Sequence, residues 1–256
     1  MIILPKSIFL IRHGESKGNV DKTLYASTPD WKIPLTKKGR EQAKKAGQLL
    51  SRKLHGSTFH QFPFQTDTYM YASPWYRASE TAKIIHEELK REGYGVKCYE
   101  DPRLREQEWG NFQAYDKKTM QKDRYKYGTF FYRIPGGESG ADVYDRVTTF
   151  LDTMYRDMPR NAQDMIVVSH GLAIKAFLMR WFHWSVDEFE SIQTPGNCQI
   201  IEMTNKHGRL ELKSKLRRKK PKLKLQEKLS SIVKVKATSR RNNLMAVAER
   251  FDNSEA

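Results

Sequence analysis

Short apolar segments alternate along this chain with segments whose apolar residues recur at helical spacing. The strand-like segments are Ser7–Ile11, Thr68–Ala72, Val96–Tyr99, Met165–Val168 and Gln199–Met203. Between them, apolar residues three and four positions apart predict helices. One of these helices is predicted to have Pro74 at its first position, and another to be capped by Ser139 or Asp142. Strands separated by helices predict an α/β fold whose functional residues follow the strand ends.

The net charge of +16 is concentrated at the C-terminal end, because residues 206–256 carry +11 of it. Charge therefore makes nucleic acid an unlikely partner for the body of the protein. We predict a catalytic body at 1–212. Within it, a basic and aromatic insert at 114–134 interrupts the alternation. The insert has two interpretations: a lid over the site whose Lys and Arg side chains contact further phosphates or carboxylates, or a solvated helical face.

The basic segment at 213–256 is predicted to be a partly disordered tail, with short helices around 223–236 and 243–251. It could be a solubilising extension. It could also bind an import receptor through LRRKKPKLK, or an anionic lipid surface. If the tail is separate from the body, truncation near Lys213 should leave turnover of a small phosphoester largely unchanged.

Composition favours an intracellular protein. Only two cysteines are present, Cys98 and Cys198, so no disulfide framework is indicated and a reducing compartment fits best. The apolar N-terminal run is short and lacks the leading basic region of a signal peptide. No uninterrupted apolar run approaches the roughly 20 residues of a membrane span. We expect a cytoplasmic protein, which would also enter the nucleus if the tail is an import signal.

Histidine and arginine side chains follow three of the predicted strands. Arg12 and His13 end the first strand, Arg77 follows the second, and His170 follows a later one. Because the carboxyl ends of parallel strands meet at one sheet edge, we expect these side chains to converge. Guanidinium groups suit bidentate contact with phosphate, and the helix that begins near Gly171 would aim backbone N–H groups at the same place. The pattern predicts a pocket for a phosphoryl group.

The motifs RHGES with Asn19 following, SPWYRASETA, LREQEWG, and VVSHG occur in this order. Together they resemble the histidine phosphatase superfamily, in its phosphoglycerate-mutase-like branch, over about residues 5–205. TPDWKIPLTKKG and FFYRIPGGES are most similar to plant and fungal phosphoglycerate-mutase-like proteins, a broad-range acid phosphatase among them. The resemblance implies a three-layer α/β/α sandwich with a mostly parallel central sheet, followed here by the basic tail.

The resemblance also implies catalytic roles. His13 would be the nucleophile that forms a phosphohistidine, and Glu106 would be the general acid, with Glu108 and Glu15 as nearby alternatives. The residues expected to bind the phosphoryl group or substrate are Arg12, Arg77, His170, Asn19 and Gly171. For Asn19, a turn-forming role is the alternative. No metal and no cofactor are implied, and the partner would be a small phosphorylated substrate.

Two departures favour phosphomonoester hydrolysis over a mutase reaction. The glycolytic mutases carry Trp where this chain has Gly18, and LREQEWG replaces their corresponding motif. A mutase must protect its phosphohistidine from water until a second acceptor enters. Phosphoglycerate mutase-type transfer remains an alternative, and so does a non-catalytic module that binds a phosphorylated ligand. The presence of His13 and Glu106 argues against the latter, since binding alone needs neither nucleophile nor proton donor.

Overall fold

The fold is a single six-stranded sheet with helices on both faces. The structure, a computed structural model, describes residues 4–55, 67–110, 117–158 and 162–219. The strands are β1 (Ser7–Arg12), β2 (Thr68–Ala72), β3 (Val96–Glu100), β4 (Asp164–Ser169), β5 (Ile200–Lys206) and β6 (Arg209–Leu212). The α-helices in the described ranges are α1 (Lys17–Val20), α2 (Lys37–Ser51), α3 (Tyr76–Arg91), α4 (Lys117–Tyr127), α5 (Gly140–Asp157), α6 (Gly171–Phe182) and α7 (Val186–Ser191).

The sheet is mostly parallel. Its strand order is β3-β2-β4-β1-β5-β6. The strands β1 to β4 are parallel to one another, β5 is antiparallel to its neighbour β1, and β6 is antiparallel to β5. Alternate side chains of β1 point to opposite faces. Phe9 packs in the cluster formed with α2 and α3, whereas Leu10 packs in the cluster formed with α5 and α6. The predicted three-layer α/β/α sandwich is confirmed.

The register of the parallel strands determines where their carboxyl ends lie. Arg12 at the end of β1 pairs with Ser169 at the end of β4, and Ala72 at the end of β2 pairs with Val168. These three neighbouring strands therefore end at the same edge of the sheet. The residues that follow them are brought together by topology rather than by proximity in sequence.

Several predicted element boundaries differ from the structure. Helix α3 begins at Tyr76 with Trp75 as its N-cap, so the prediction that Pro74 is the first helical residue was wrong. The reason is that Ser73 still bonds to the sheet through its N–H to Val168 O, while its Oγ accepts from Trp75 N–H. The last predicted strand, β5, starts at Ile200 and continues to Lys206. Helix α7 and strand β6 were not predicted.

The helix α5 begins with a reciprocal cap that uses both candidate residues. Ser139 is the N-cap and accepts from Asp142 N–H, while the Asp142 carboxylate accepts from Ser139 N–H. This capping box satisfies two of the N–H groups that a helix start leaves unpaired. It fixes the point where the chain leaves the insert.

The compact unit extends beyond the predicted boundary at residue 212. Lys213 contacts the Glu202 carboxylate at 2.8 Å, Ser214 Oγ accepts from Glu202 N–H, and Arg217 O accepts from Gln193 N–H. The unit ends at Arg217. A truncation that spares these contacts belongs after Lys219. The helices predicted around 223–236 and 243–251 lie outside the described residues.

Two observations concern membrane insertion and the cysteines. Within the described ranges, no helix is long and apolar enough to cross a lipid bilayer. Both cysteines are free thiols, with Cys98 exposed on β3 and Cys198 half-buried.

Candidate active site

His13 lies at the end of β1 with a fixed ring orientation. Its N–H donates to Ser169 O at 2.9 Å, so the backbone continues the pairing of β1 with β4. Its ring Nδ1 donates to Gly14 O at 2.7 Å. Because a carbonyl oxygen only accepts, Nδ1 carries the hydrogen, and Nε2 of the neutral ring keeps a lone pair. The imidazole therefore has a nucleophilic nitrogen at a defined atom.

Arg77 reaches the nucleophilic nitrogen from α3. Its Nε donates to His13 Nε2 at 3.3 Å, and its Nη1 donates to Asp30 at 2.8 Å (backbone O) and 2.7 Å (Oδ1). The guanidinium also lies 4.8 Å from the Trp75 ring centre. The Arg77 guanidinium is therefore positioned by His13, Asp30 and the Trp75 ring. Sequence reasoning gave Asp30 no role, although it lies in the quoted stretch TPDWKIPLTKKG, between the first sheet-edge motif and α2.

His170 and Arg12 complete the cluster. The His170 ring centre is 5.1 Å from that of His13. His170 Nε2 lies 2.8 Å from Ser73 Oγ. Arg12 Nη1 donates to Pro195 O at 2.8 Å. His170 Nδ1 and Arg12 Nε are buried and have no hydrogen-bond partner among the described residues. Buried polar atoms are normally paired, so these two nitrogens are candidates for contact with the oxygens of an anionic group. For the neutral His170 ring this requires the hydrogen on Nδ1, with Ser73 Oγ donating to Nε2.

The electrostatics of the cluster favour neutral imidazoles. Burial, followed by the charges of Arg77 and Arg12, lowers the pKa of His13 well below its usual range. Burial and the neighbouring Arg77 do the same to the pKa of His170. Burial also lowers the pKa of the Arg12 guanidinium from its usual value. Two neutral rings beside two guanidinium groups form a strongly cationic recess around a nucleophile.

Glu106 is positioned by the start of α6. Leu172 N–H donates to the Glu106 carboxyl at 3.2 and 3.3 Å. One N–H of this helix start is therefore already bonded to Glu106, and the predicted contact of the helix start with a phosphoryl group stays a prediction. Gly171 allows the close approach: a Cβ there would lie 2.3 Å from Thr194 Cγ2 and 3.7 Å from Glu106 Oε2. The absence of a side chain at Gly171 leaves room for Thr194, and its predicted contact with substrate stays a prediction.

Asn19 contributes to the cap of α1. Its Oδ1 accepts from Ser16 N–H at 3.1 Å and from Asn197 Nδ2 at 3.2 Å. A phosphoryl oxygen would therefore meet its donor, Nδ2. Asn197, which sequence reasoning missed, also donates to His13 O at 3.0 Å and so ties the nucleophile to the loop before β5.

The two rival carboxylates are placed differently from Glu106. The Glu15 carboxylate is held by Lys38 at 2.8 Å and by Thr36 at 3.0 Å. Glu108 is exposed. Neither contacts the start of α6, so Glu106 is the carboxyl that the fold anchors beside the cluster.

The insert reaches the loop that carries Glu106. Arg124 on α4 donates to Gln107 Oε1 at 3.0 Å and lies 4.5 Å from the Trp109 ring centre. Burial lowers the pKa of its guanidinium. This contact links the insert to the site, while closure of the insert as a lid stays a hypothesis. Residues 114–116, and the side chains of Lys117 and Lys118, lie outside the described part.

Metal-ligating side chains are not grouped in the described ranges, where no three of His, Cys, Asp or Glu lie together in a way that could hold an ion.

Comparison with known proteins decides the family. The family model described as histidine phosphatase superfamily (branch 1) matches residues 8–216. The chain belongs to the histidine phosphatase superfamily. A phosphoglycerate mutase-like protein of Arabidopsis thaliana is 42% identical over 211 residues, which cover 78% of this chain and 74% of the relative. A broad-range acid phosphatase of Saccharomyces cerevisiae is 32% identical and is matched over 78% of this chain and 85% of its own length.

Solved structures of histidine phosphatases share the fold. The Mycobacterium tuberculosis open reading frame Rv3214 superposes with a TM-score of 0.60 at 26% identity, over 82% of this chain and 96% of that one. A mycobacterial glucosyl-3-phosphoglycerate phosphatase gives 0.61 at 22% identity, over 83% and 99%, and shows the fold alone. The family predicted from the motifs, a phosphatase of the histidine phosphatase superfamily, is confirmed.

Proposed function

We propose that this histidine phosphatase hydrolyses phosphomonoesters through a phosphohistidine on His13. Nε2 attacks phosphorus, the P–O bond to the alcohol breaks, and the Glu106 carboxyl gives its proton to the departing oxygen. Water then attacks the phosphohistidine, and the Glu106 carboxylate takes the water's proton while His13 leaves. The products are the alcohol and inorganic phosphate, and the enzyme returns to its starting state.

The observation that carries this proposal is the hydrogen bond from His13 Nδ1 to Gly14 O at 2.7 Å. It directs the lone pair of the neutral ring to Nε2, beside the guanidinium of Arg77. Arg12 Nε and His170 Nδ1, which have no partner among the described residues, are the nitrogens proposed to contact the phosphoryl oxygens. Such fixed groups stabilise charge as it spreads over those oxygens in the transition state.

Hydrolysis is proposed over mutase-type transfer because of the space beside Gly18. A Cβ at Gly18 would lie 2.7 Å from Tyr25 Oη, so the indole that the mutases carry here has no room while Tyr25 keeps its place. We expect release of inorganic phosphate from p-nitrophenyl phosphate, and no transfer of labelled phosphate to 3-phosphoglycerate. Transfer at a rate similar to hydrolysis would contradict the proposal in favour of a mutase. Binding of phosphate without turnover would favour the non-catalytic module.

The histidine pKa values give a second expectation. A free histidine titrates near pH 6.5. Since burial and two guanidinium groups lower the pKa of His13 and of His170, both rings should remain neutral at pH 6. Histidine NMR titration measures this directly, with the His13→Ala spectrum identifying the signal. A midpoint at or above pH 6.5 would contradict the geometry.

The lowered pKa values of His13 and His170 also affect the free energy of unfolding. Below about pH 6.5 the unfolded chain takes up protons on these histidines that the folded chain does not. The free energy of unfolding should therefore fall as the pH decreases through this range, with His13 and His170 each contributing.

We further propose that catalysis needs no metal, and that the protein acts in the cytoplasm with the basic tail separate from catalysis. A neutral imidazole attacks phosphorus without metal assistance, and the guanidinium groups supply the positive charge. Full activity in excess chelator would support metal independence, and loss of activity that added metal restores would refute it. The tail's proposed contacts, with an import receptor or an anionic surface, involve residues outside the described ranges.

A further inference from the structure

A cavity of about 380 Å³ opens beside the cluster of His13, Arg77 and His170. Two of its lining residues contact that cluster: Asp30 accepts from Arg77, and the Trp75 ring meets that of His170 edge-on at 5.3 Å. Its position and size suit the part of a substrate that remains attached to the phosphoryl oxygen. The aromatic side chains that line it are Tyr25, Trp31, Trp75 and Trp109.

The described lining of this cavity includes two carboxylates. Asp30 and Glu108 both line it, and no Lys, Arg or His is among its described lining residues. Asp30 is fixed by Arg77. The backbone of Glu108 is fixed by Glu138, whose carboxylate accepts from Glu108 N–H at 3.0 Å and whose N–H donates to Glu108 O at 2.9 Å. The two guanidinium groups of the cluster therefore adjoin an aromatic cavity with two carboxylates, of which Asp30 is paired with Arg77 and Glu108 is exposed.

The aromatic rings of this wall already take cations from the chain itself. The Lys32 ammonium lies 4.9 Å from the Trp31 ring centre, and the Arg124 guanidinium lies 4.5 Å from that of Trp109. Lys22 and Arg77 lie 5.7 and 4.8 Å from the ring centres of Tyr25 and Trp75. Each ring has a second face, and Trp31 is 52% exposed. Electron-rich rings attract cations, and several rings grouped with a carboxylate form a common recognition site for alkylated ammonium groups.

We propose that the preferred substrates are phosphomonoesters of amino alcohols, with the phosphoryl group in the cationic cluster and the ammonium group in the aromatic, acidic cavity. This rests on the proposed hydrolysis, and it names the substrate class for the same site. The two recesses together complement a zwitterion, in which a phosphate and an ammonium group are separated by a short alkyl chain. A neutral or anionic leaving group would lose the attraction of the cavity.

The test compares two esters of the same shape. Phosphocholine carries a quaternary ammonium group, and 3,3-dimethylbutyl phosphate replaces its nitrogen with carbon and so removes one positive charge. The kcat/KM ratio of the two should be about 5 to 30, the range that a partly desolvated cation over aromatic rings supplies. Trp31→Leu and Glu108→Gln should each bring the ratio towards 1. Glu87→Gln, which removes an exposed carboxylate on α3, should leave the ratio as in the wild type.

The outcomes separate this inference from the function it rests on. Hydrolysis of both esters with a ratio near 1 would overturn the substrate class and leave the phosphatase intact. A high ratio that Trp31→Leu and Glu108→Gln do not change, in variants whose circular dichroism matches the wild type, would also overturn it. No hydrolysis of either ester, or of p-nitrophenyl phosphate, would mean that the proposed function itself has failed.

Discussion

Replacing His13 with alanine should lower kcat by at least about 10⁴-fold, as removal of the attacking group does in other enzymes that use covalent catalysis. The variant should still bind inorganic phosphate, because Arg12 and Arg77 remain. The expected result is loss of turnover with phosphate affinity largely preserved. Steady-state kinetics and calorimetric phosphate titration measure the two quantities.

The matched control is His207→Ala, which removes an exposed imidazole at the turn between β5 and β6. It should have wild-type turnover. If His13→Ala keeps more than about a hundredth of the wild-type kcat, with unchanged secondary structure, another group is the nucleophile.

Replacing Glu106 with glutamine should produce a loss that depends on the leaving group. Proton donation of this kind contributes about 10²–10⁴-fold to the rate. An alkyl phosphate needs the proton because an alkoxide is a poor leaving group, so its hydrolysis should fall by that factor. The first step with p-nitrophenyl phosphate should fall much less, because nitrophenolate leaves without a proton. Burst-phase measurements with both substrates separate the first step from the second.

The variants Glu108→Gln and Glu15→Gln test whether the general acid is Glu106 or one of these two other carboxyl groups. The proton donor is the position whose substitution slows alkyl esters far more than the nitrophenyl ester in the first step. The bonds from Leu172 N–H to the Glu106 carboxyl single out position 106. The same leaving-group dependence at 108 or 15, and not at 106, would reassign the role.

The convergence of the cluster was predictable from sequence because it follows from topology. Arg12, His13 and His170 each lie at the end of an apolar strand, and parallel strands align such ends. Arg77 is the second residue of helix α3, which follows the neighbouring strand β2. No detailed packing was needed to bring these groups together.

The partners that orient the cluster were not predictable, because they come from loops. Asp30 and Asn197 reach the site from segments that carry no periodic pattern, and their roles depend on side-chain direction alone. The start of α3 was misplaced for a related reason. A proline after a strand suggests a helix start. Here Ser73 N–H still bonds Val168 O and its Oγ contacts His170 Nε2, and helix α3 begins only at Tyr76.

The unpredicted elements are those with little local signal. Strand β6 is four residues long and pairs with β5 across a turn in which Gly208 has a φ of 81°. Helix α7 is six residues long and is held by a capping box at Ser185. Elements this short carry too few residues for a period to show. The tertiary contacts of Lys213 and Arg217 likewise have no signature in the composition.

The most direct measurement is to identify the residue that carries phosphate during turnover. Glu106→Gln should be mixed with ³²P-labelled p-nitrophenyl phosphate and quenched in alkali, since the second step needs the carboxylate as base and the intermediate should accumulate. About one phosphate per chain is expected, acid-labile and stable to alkali, on the peptide that contains His13. Label on any other residue would contradict the account, and so would turnover with no such phosphate in either this variant or the wild type.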